Sequence, residues 1–296
     1  MSTWIKRLII CGLGLLAGIL AWPVMDLFIR YQAVFPSFLV FSLASGAVFG
    51  FIFGLVFGTG EGIIAGSNRR IVRGALWGSL LGSGGGVLGF LLGQGVLFVL
   101  GEHLLQSEEA VRGVGFPLAR ATGWAVMGLF VGAAEGVRAW SGRKLAVGVA
   151  GGLAGGFLGG GAIEYGQVLY PHLPLVQLVG LVMFGLLVSL FYSLVEHQLS
   201  LGVLRLLNGR FKGKEFVLNQ RRTLIGAADN TDIILSGYRG VANRHAQLLL
   251  RNRELYLEPL DEQQPVYVND DRVTRRMLKY EDVIRIGTAK LFFRHE

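Results

Sequence analysis

The residues that could do chemistry in this sequence are few and widely separated. The five histidines are dispersed, the single cysteine, Cys11, lies inside an apolar run, and there is no metal-ligand cluster, nucleotide-binding loop or nucleophile triad. Metal binding and acid–base catalysis need several such side chains close together. The sequence therefore predicts no enzyme, no bound metal and no cofactor.

Four glutamates stand out because they border or interrupt long apolar stretches. Glu61, Glu135 and Glu196 each end such a stretch, and Glu164 lies near the end of another. Ionisable groups within membrane spans are rare and often functional. We expect Glu61, Glu135 and Glu196 to pair with arginines of nearby basic segments or to cap the helices. A role of these carboxylates in ion transport is the alternative.

The elements that carry these glutamates have the composition of membrane helices. Only 16% of the 296 residues are charged and 45 are glycine, whereas roughly 25% are charged in a typical soluble domain. A helix of about 20 apolar residues crosses a bilayer. The pattern predicts a glycine-rich α-helical membrane bundle of about six helices within a transmembrane domain of residues 1–200: 8–25, 38–58, 74–100, 118–134, 145–165 and 175–195.

An internal repeat runs through this predicted bundle. Glu61 and Glu135 are 74 residues apart, and at that offset Ser67 matches Ser141 and a row of glycines in 74–86 matches one in 148–160. A fainter third copy ends at Glu196. Glu164 has no matching glutamate, because the residue 74 positions before it is Phe90. The sequence thus predicts three hairpin repeats, whose glycines at four-residue spacing allow close helix packing.

The distribution of lysine and arginine predicts the topology. One set of loops carries basic clusters at 6–7, 69–73, 138–144 and 205–214, whereas the opposite set includes an acidic segment at 102–109. Basic loops tend to remain in the cytoplasm. We therefore predict a multi-pass protein of the inner or plasma membrane with both termini in the cytoplasm. The net charge of +8 is then accounted for without a nucleic-acid partner.

The C-terminal part of the chain has a different pattern. After a predicted basic linker at 201–214, residues 215–296 contain short alternating runs such as "DIIL", "AQLLL" and "VYVN". Alternation of this kind, with turn residues between the runs, predicts the strands of an all-β sandwich. This domain would lie on the cytoplasmic side.

The order and spacing of these runs resemble the forkhead-associated (FHA) family. The similar stretches, in chain order, are Ile225-Gly226, Asp232 to Leu235, Val241 to Ala246, Gln264 to Asn269, Leu278 to Gly287 and Lys290 to Phe293. The resemblance covers nearly all of 215–296 and implies an FHA-like sandwich that docks a protein partner. It also implies apical recognition loops at 226–230, 236–245 and 262–270, with Gly226 and His245 as loop-structuring residues.

The sequence departs from the family where the family binds phosphothreonine. Ala227 stands in place of an arginine, Ala242 in place of a serine, and Gln264 in place of an asparagine. Losing such donors removes charge-assisted hydrogen bonds to phosphate. We therefore expect weak or lost phosphothreonine dependence. Five residues remain as candidates for binding a peptide or phosphopeptide: Arg239, Asn243, Arg244, Gln264 and Asn269.

Two functions follow from these patterns. In the first, the chain is a membrane-embedded adaptor or signalling protein that presents an FHA-like docking domain at the cytoplasmic membrane surface. Its partners are then the lipid bilayer and a cytoplasmic protein, which the resemblance allows to be threonine-phosphorylated. In the second, the chain is a transporter or channel component that the FHA-like domain regulates. Duplicated helices with glutamates in matching positions leave this alternative open.

Overall fold

The computed structural model describes residues 3–103, 111–170, 172–173, 175–209, 211–218, 220–252, 254–261 and 263–294. Residues 104–109, Arg210, Glu262 and Glu296 were used in the predictions above and lie outside this description. The chain divides into two compact units, Arg7–Val195 on one side and Met1–Lys6 with Glu196–Glu296 on the other.

Six helices of the described residues are long and apolar enough to cross a membrane, which confirms the predicted helical class. They are α1 (Thr3–Arg30), α2 (Phe38–Ala65), α3 (Asn68–His103), α4 (Phe116–Arg138), α5 (Gly142–Leu169) and α6 (Val176–Gln198). A 3-10 turn at Gln32–Val34 precedes α2, and a π-helical turn at Val111–Gly115 precedes α4. Ser37 and Ser141 cap α2 and α5 by accepting a hydrogen bond from a backbone N–H of the first turn.

Helices α2 and α3 pack along a row of facing glycines. The facing pairs are Gly46 with Gly86, Gly50 with Gly82, Gly54 with Gly78 and Gly58 with Gly74. A Cβ atom at any of these positions would overlap the carbonyl oxygen of the facing helix. Helices α4 and α5 repeat the arrangement at Gly128 with Gly152 and at Gly132 with Gly148. Since these positions match at the 74-residue offset, the sequence repeat is also a packing repeat.

The last helix packs against the first by the same kind of contact. Gly185 of α6 faces Gly14 of α1, and Ser189 Oγ donates a hydrogen bond to the Ile10 carbonyl at 3.0 Å. The α2–α3, α4–α5 and α6–α1 pairs each join the second helix of one predicted hairpin to the first helix of another. The sequence predicted the hairpins but not these contacts between them, because a repeat defines the order of helices and not the faces that meet.

The C-terminal unit is a β-sandwich, as predicted. Its strands are β1 (Val203–Leu206), β2 (Glu215–Val217), β3 (Arg222–Gly226), β4 (Ile233–Ile234), β5 (Ala246–Arg251), β6 (Glu254–Pro259), β7 (Val266–Val268), β8 (Asp271–Val273), β9 (Arg276–Met277), β10 (Val283–Ile286) and β11 (Ala289–Arg294). One sheet has the order β2-β1-β11-β10-β7-β8 and the other β4-β3-β5-β6-β9. Alternate apolar side chains of both sheets, such as Leu248 and Ile284, form the core.

The first strand differs from the basic linker expected at 201–214. β1 pairs with both β2 and β11, and the side chains of Leu204 and Leu206 are buried in the core. Only Arg205, between them, faces solvent. Four residues are too short a run for alternation to be recognised among the surrounding basic residues. The sandwich therefore begins before residue 215.

Candidate functional site

Three loops of the sandwich are joined by backbone hydrogen bonds. The Ala227 N–H after β3 donates to the Ala242 carbonyl at 2.8 Å, and the Ala228 N–H donates to the Asn243 carbonyl at 3.2 Å. The Leu260 N–H after β6 donates to the His245 carbonyl at 2.9 Å. The predicted loops at 226–230 and 236–245, and the segment that follows β6, therefore form one continuous surface.

His245 holds these loops from within the domain. Its side chain is buried, Nδ1 accepts a hydrogen bond from the Ala242 N–H at 3.1 Å, and Nε2 lies 3.4 Å from the Pro265 carbonyl oxygen. Because Nδ1 accepts, the proton of the neutral ring lies on Nε2. Burial lowers the pKa of His245, with the Pro265 carbonyl and Asp261 acting in the opposite direction. This geometry suits the loop-structuring role expected for His245.

Gly226 is buried where two loops cross. A Cβ atom at this position would lie 3.0 Å from the Ala242 carbonyl oxygen and would overlap that of Asn243. The loops can therefore approach this closely only around a residue without a side chain. This geometry suits the loop-structuring role expected for Gly226.

The side chain of Asn269 stabilises a turn, and its polar atoms form hydrogen bonds within the domain. It has φ 53° in the two-residue turn between β7 and β8, where the following residue, Asp270, has φ 68°. Asn and Asp are favoured in such turns. The side-chain Nδ2 of Asn269 donates to Asp282 at 2.7 Å, and its Oδ1 accepts from the Val283 N–H at 2.8 Å. The structure thus uses both polar atoms of this peptide-binding candidate inside the domain.

The other four candidates differ in exposure. Arg239, Asn243 and Arg244 are exposed, and Gln264 is half-buried. Within the described part of the chain, none of these four side chains has a hydrogen-bond or ion-pair partner. The loop surface therefore offers two guanidinium groups and two amides to a partner.

Comparison with known proteins identifies the segment that carries these loops. Residues 205–296 match the family described as the inner membrane component of T3SS, cytoplasmic domain. The C-terminal segment is an FHA-like domain. The match begins inside β1, in agreement with the strand that the structure places there. No curated protein matches the chain.

Several solved FHA structures are similar to the FHA-like domain. One, from work on phosphothreonine-dependent FHA domain interactions, is 25% identical, with 32% of this chain and 96% of that chain covered and a TM-score of 0.30. The FhaA FHA domain, complexed with the intracellular domain of a second protein, is 26% identical over 31% and 99%, with a TM-score of 0.29. An FHA domain from Chlamydia trachomatis is 20% identical over 32% and 97%, with a TM-score of 0.30.

Two further residues position the loops and were not singled out from the sequence. Thr231 is fully buried, and its hydroxyl donates to the Ala228 carbonyl at 2.7 Å. Asp282 is buried and accepts hydrogen bonds from the side chain of Asn269 and from the Lys279 N–H at 2.8 Å. A lone threonine or aspartate in a loop gives no sequence signal of burial. The place of Asp282 in the family pattern was the one available sign.

Glu61, Glu135, Glu164 and Glu196 are the membrane-end carboxylates, the glutamates that border the apolar stretches. Two of them, from successive repeats, share the same cations. Arg138 Nη2 lies 2.5 Å from a carboxylate oxygen of Glu61 and 2.5 Å from one of Glu135. Lys144 pairs with Glu61 as well, and its Nζ lies 3.9 Å from Glu135. The pairing with arginine expected from the sequence is thus present for both, although neighbouring repeats contribute to one cluster.

The other two membrane-end carboxylates pair separately. Lys6 Nζ lies 2.7 Å from Glu196. Glu164 is buried, accepts a hydrogen bond from Trp124 Nε1 at 3.3 Å and pairs with Arg120 Nη1 at 3.0 Å. No group of three or more His, Cys, Asp or Glu side chains in the described ranges is arranged to hold a metal ion.

Proposed function

We propose that this chain is a membrane-embedded adaptor whose FHA-like domain docks a cytoplasmic protein with weak or no dependence on phosphothreonine. The observation that carries the proposal is the surface of the joined loops. Ala227, Ala242 and Gln264 occupy the positions where the family has phosphate donors, while the close packing at Gly226 and the hydrogen bond of His245 keep the loops in place. The scaffold of a binding surface is retained without the phosphate contacts.

The free energy of the missing hydrogen bonds is large enough to determine whether the domain prefers a phosphorylated peptide. A hydrogen bond to a charged group contributes roughly 1.5–3 kcal/mol, and each 1.4 kcal/mol changes a dissociation constant about tenfold. The absence of two or three such bonds removes most of the preference for a phosphorylated peptide. Arg239 and Arg244 remain exposed and can bind acidic or polar side chains of a partner.

The match to an inner-membrane family supports an adaptor in the inner or plasma membrane. The carboxylates favour this over a transporter, since Glu61, Glu135, Glu164 and Glu196 all have cationic partners. Loss of solute or ion flux from reconstituted vesicles on replacing Glu61 would favour the transporter. An adaptor should show no flux that depends on this residue.

Peptide binding by residues 201–296 tests the phosphate prediction. We expect threonine-phosphorylated peptides to bind no better than their unphosphorylated forms. Arg244→Ala should weaken both alike, whereas Arg251→Ala, at the far end of β5, should change neither. Strong phosphate-dependent binding that Arg244→Ala abolishes would make the domain a reader of threonine phosphorylation instead.

The proposed topology places both chain termini in the cytoplasm. Reporter fusions after Arg143 and after Glu296 should both report the cytoplasm, whereas a fusion near Glu108 should report the other side. A C-terminus that is accessible to protease in intact cells would rule out this arrangement.

A further inference from the structure

A cavity of about 360 Å³ lies between α1, α2, α3, α4 and α5. Its lining comes from the end of α1, the start of α2, the end of α3, the start of α4 and the end of α5, and so from one end of the bundle. Phe28, Phe41, Phe49, Phe90 and Trp124 give it largely aromatic walls. Ligand pockets typically measure about 300–1,000 Å³ and combine apolar walls with a few placed polar groups. The cavity has the size and lining of a pocket for one small ligand.

The polar groups of this cavity are Arg120, Glu164, Gln94 and Gln167, together with Gln32 and two serines. Both oxygens of Glu164 are engaged, one by Arg120 and the other by Trp124. A guanidinium carries five N–H donors. Within the described residues, only Glu164 accepts from the guanidinium of Arg120, whose side chain is 48% exposed. Glu164 therefore orients the arginine and leaves most of its donors available.

Gln94 supplies a second donor without a partner. Its Nε2 atom is buried, lines the same cavity and has no hydrogen-bond partner among the described residues. Leaving a buried polar group unpaired costs free energy, and more so in a membrane, where water is scarce. The cavity thus has unpaired donors on α3 and α4 and a negative charge that is already neutralised.

The internal repeat shows that the fold does not require the charged pair. At the 74-residue offset, Arg120, Trp124 and Glu164 occupy the positions of Gly46, Gly50 and Phe90. In the first copy, Gly46 and Gly50 of α2 lie directly against α3, and the backbones of the two helices are in contact. The second copy replaces this contact with an ion pair beside a cavity. Packing of the repeat therefore does not explain these residues.

We propose that the cavity binds an anionic amphiphile with a single alkyl chain. The carboxylate or phosphate of the ligand accepts hydrogen bonds from Arg120 and Gln94, because these groups offer donors and Arg120 already neutralises the charge of Glu164. The alkyl chain occupies the aromatic part between Phe41, Phe49 and Phe90. The proposal rests on these contacts alone and is independent of the role of the FHA-like domain.

Photocrosslinking of the full-length protein in phosphatidylcholine nanodiscs tests this site. The probe is a diazirine-bearing palmitic acid, with its methyl ester as the uncharged control. We expect the acid to label cavity-lining residues such as Phe90 and Leu97 more than Leu92, which faces outward on the same helix. Excess oleate or lysophosphatidylglycerol, each with one alkyl chain, should displace the probe, and oleyl alcohol should not. Displacement by oleate alone identifies a free fatty acid, and displacement by lysophosphatidylglycerol identifies a phosphate headgroup.

Matched variants show whether the donors recognise the anion. Arg120→Gln should weaken labelling by the acid about ten- to a hundredfold, as expected for loss of a charge-assisted hydrogen bond. Gln94→Leu should weaken it less, and Arg30→Gln, at the same end of the bundle but outside the cavity, should not. Thermal melting of each variant identifies loss of folding, and Gln94→Leu then serves as the second test. Equal labelling by the ester, or unchanged labelling of both folded cavity variants, would overturn the proposal.

Discussion

Replacing Arg138 is expected to destabilise the helical unit more than any single exposed charge. Arg138 pairs with Glu61 of α2 and with Glu135 of its own helix. The variant Arg138→Gln keeps a polar side chain of similar length and removes the charge. Among the residues that the structure describes, Lys144 is then the remaining cationic partner of both carboxylates, and its Nζ lies 3.9 Å from Glu135.

The expected cost follows from the burial of the cluster. The side chains of Arg138, Glu135 and Glu61 are 17%, 16% and 28% exposed. Removing one partner of a buried ion pair costs about 3–5 kcal/mol. Partial exposure of these groups places the expected loss near the lower end, at about 3 kcal/mol. The exposed pair of Asp26 and Arg30 is the comparison, since exposed pairs contribute about 0.2–1 kcal/mol.

Reversible unfolding of the purified protein in mixed detergent micelles, followed by tryptophan fluorescence, measures both costs. Arg138→Gln should lower the free energy of unfolding by about 3 kcal/mol, and Arg30→Gln by less than about 1 kcal/mol. Adding Glu135→Gln to Arg138→Gln should recover part of the loss, because one unpaired carboxylate is removed. Equal small effects of the two arginine variants, or no recovery in the double variant, would refute a buried shared ion cluster.

Three further predictions concern packing, domain limits and pH. Gly78→Ala should destabilise the bundle by about 1–3 kcal/mol by overpacking, whereas Gly84→Ala on the same helix, with open space at its Cβ, should not; detergent unfolding compares the two. A fragment of 201–296 should give a β-type circular dichroism spectrum and a cooperative melt, and one of 214–296 should melt at a lower temperature because it lacks Leu204 and Leu206. Because burial lowers the folded-state pKa of His245 below its unfolded value of about 6.5, the 201–296 fragment should lose stability as pH falls through and below 6.5. Urea titrations should show this loss, and His245→Gln should flatten the pH dependence.

Much of the FHA-like domain could be predicted because its information is local. Alternating apolar residues determine which side chains face the core, and the spacing of the motifs around Gly226, His245 and Asn269 defines the loops. The sequence could not show that β1 belongs to the sandwich. That strand is joined to the sheet by pairing with β2 and with β11, and β11 is almost ninety residues away in the chain. Nor could it show that the polar atoms of Asn269 are used within the domain.

In the helical unit, the sequence by itself determined the number of helices, their repeat and the glycine spacing, since each is a property of consecutive residues. Only the tertiary structure decided that Arg138 joins glutamates of two repeats, and that Arg120, Glu164 and Gln94 border one cavity. Residues on three different helices converge according to which faces pack, how far the helices are offset and how closely glycine allows them to approach. These quantities belong to the packed bundle and have no counterpart in any one stretch of the chain.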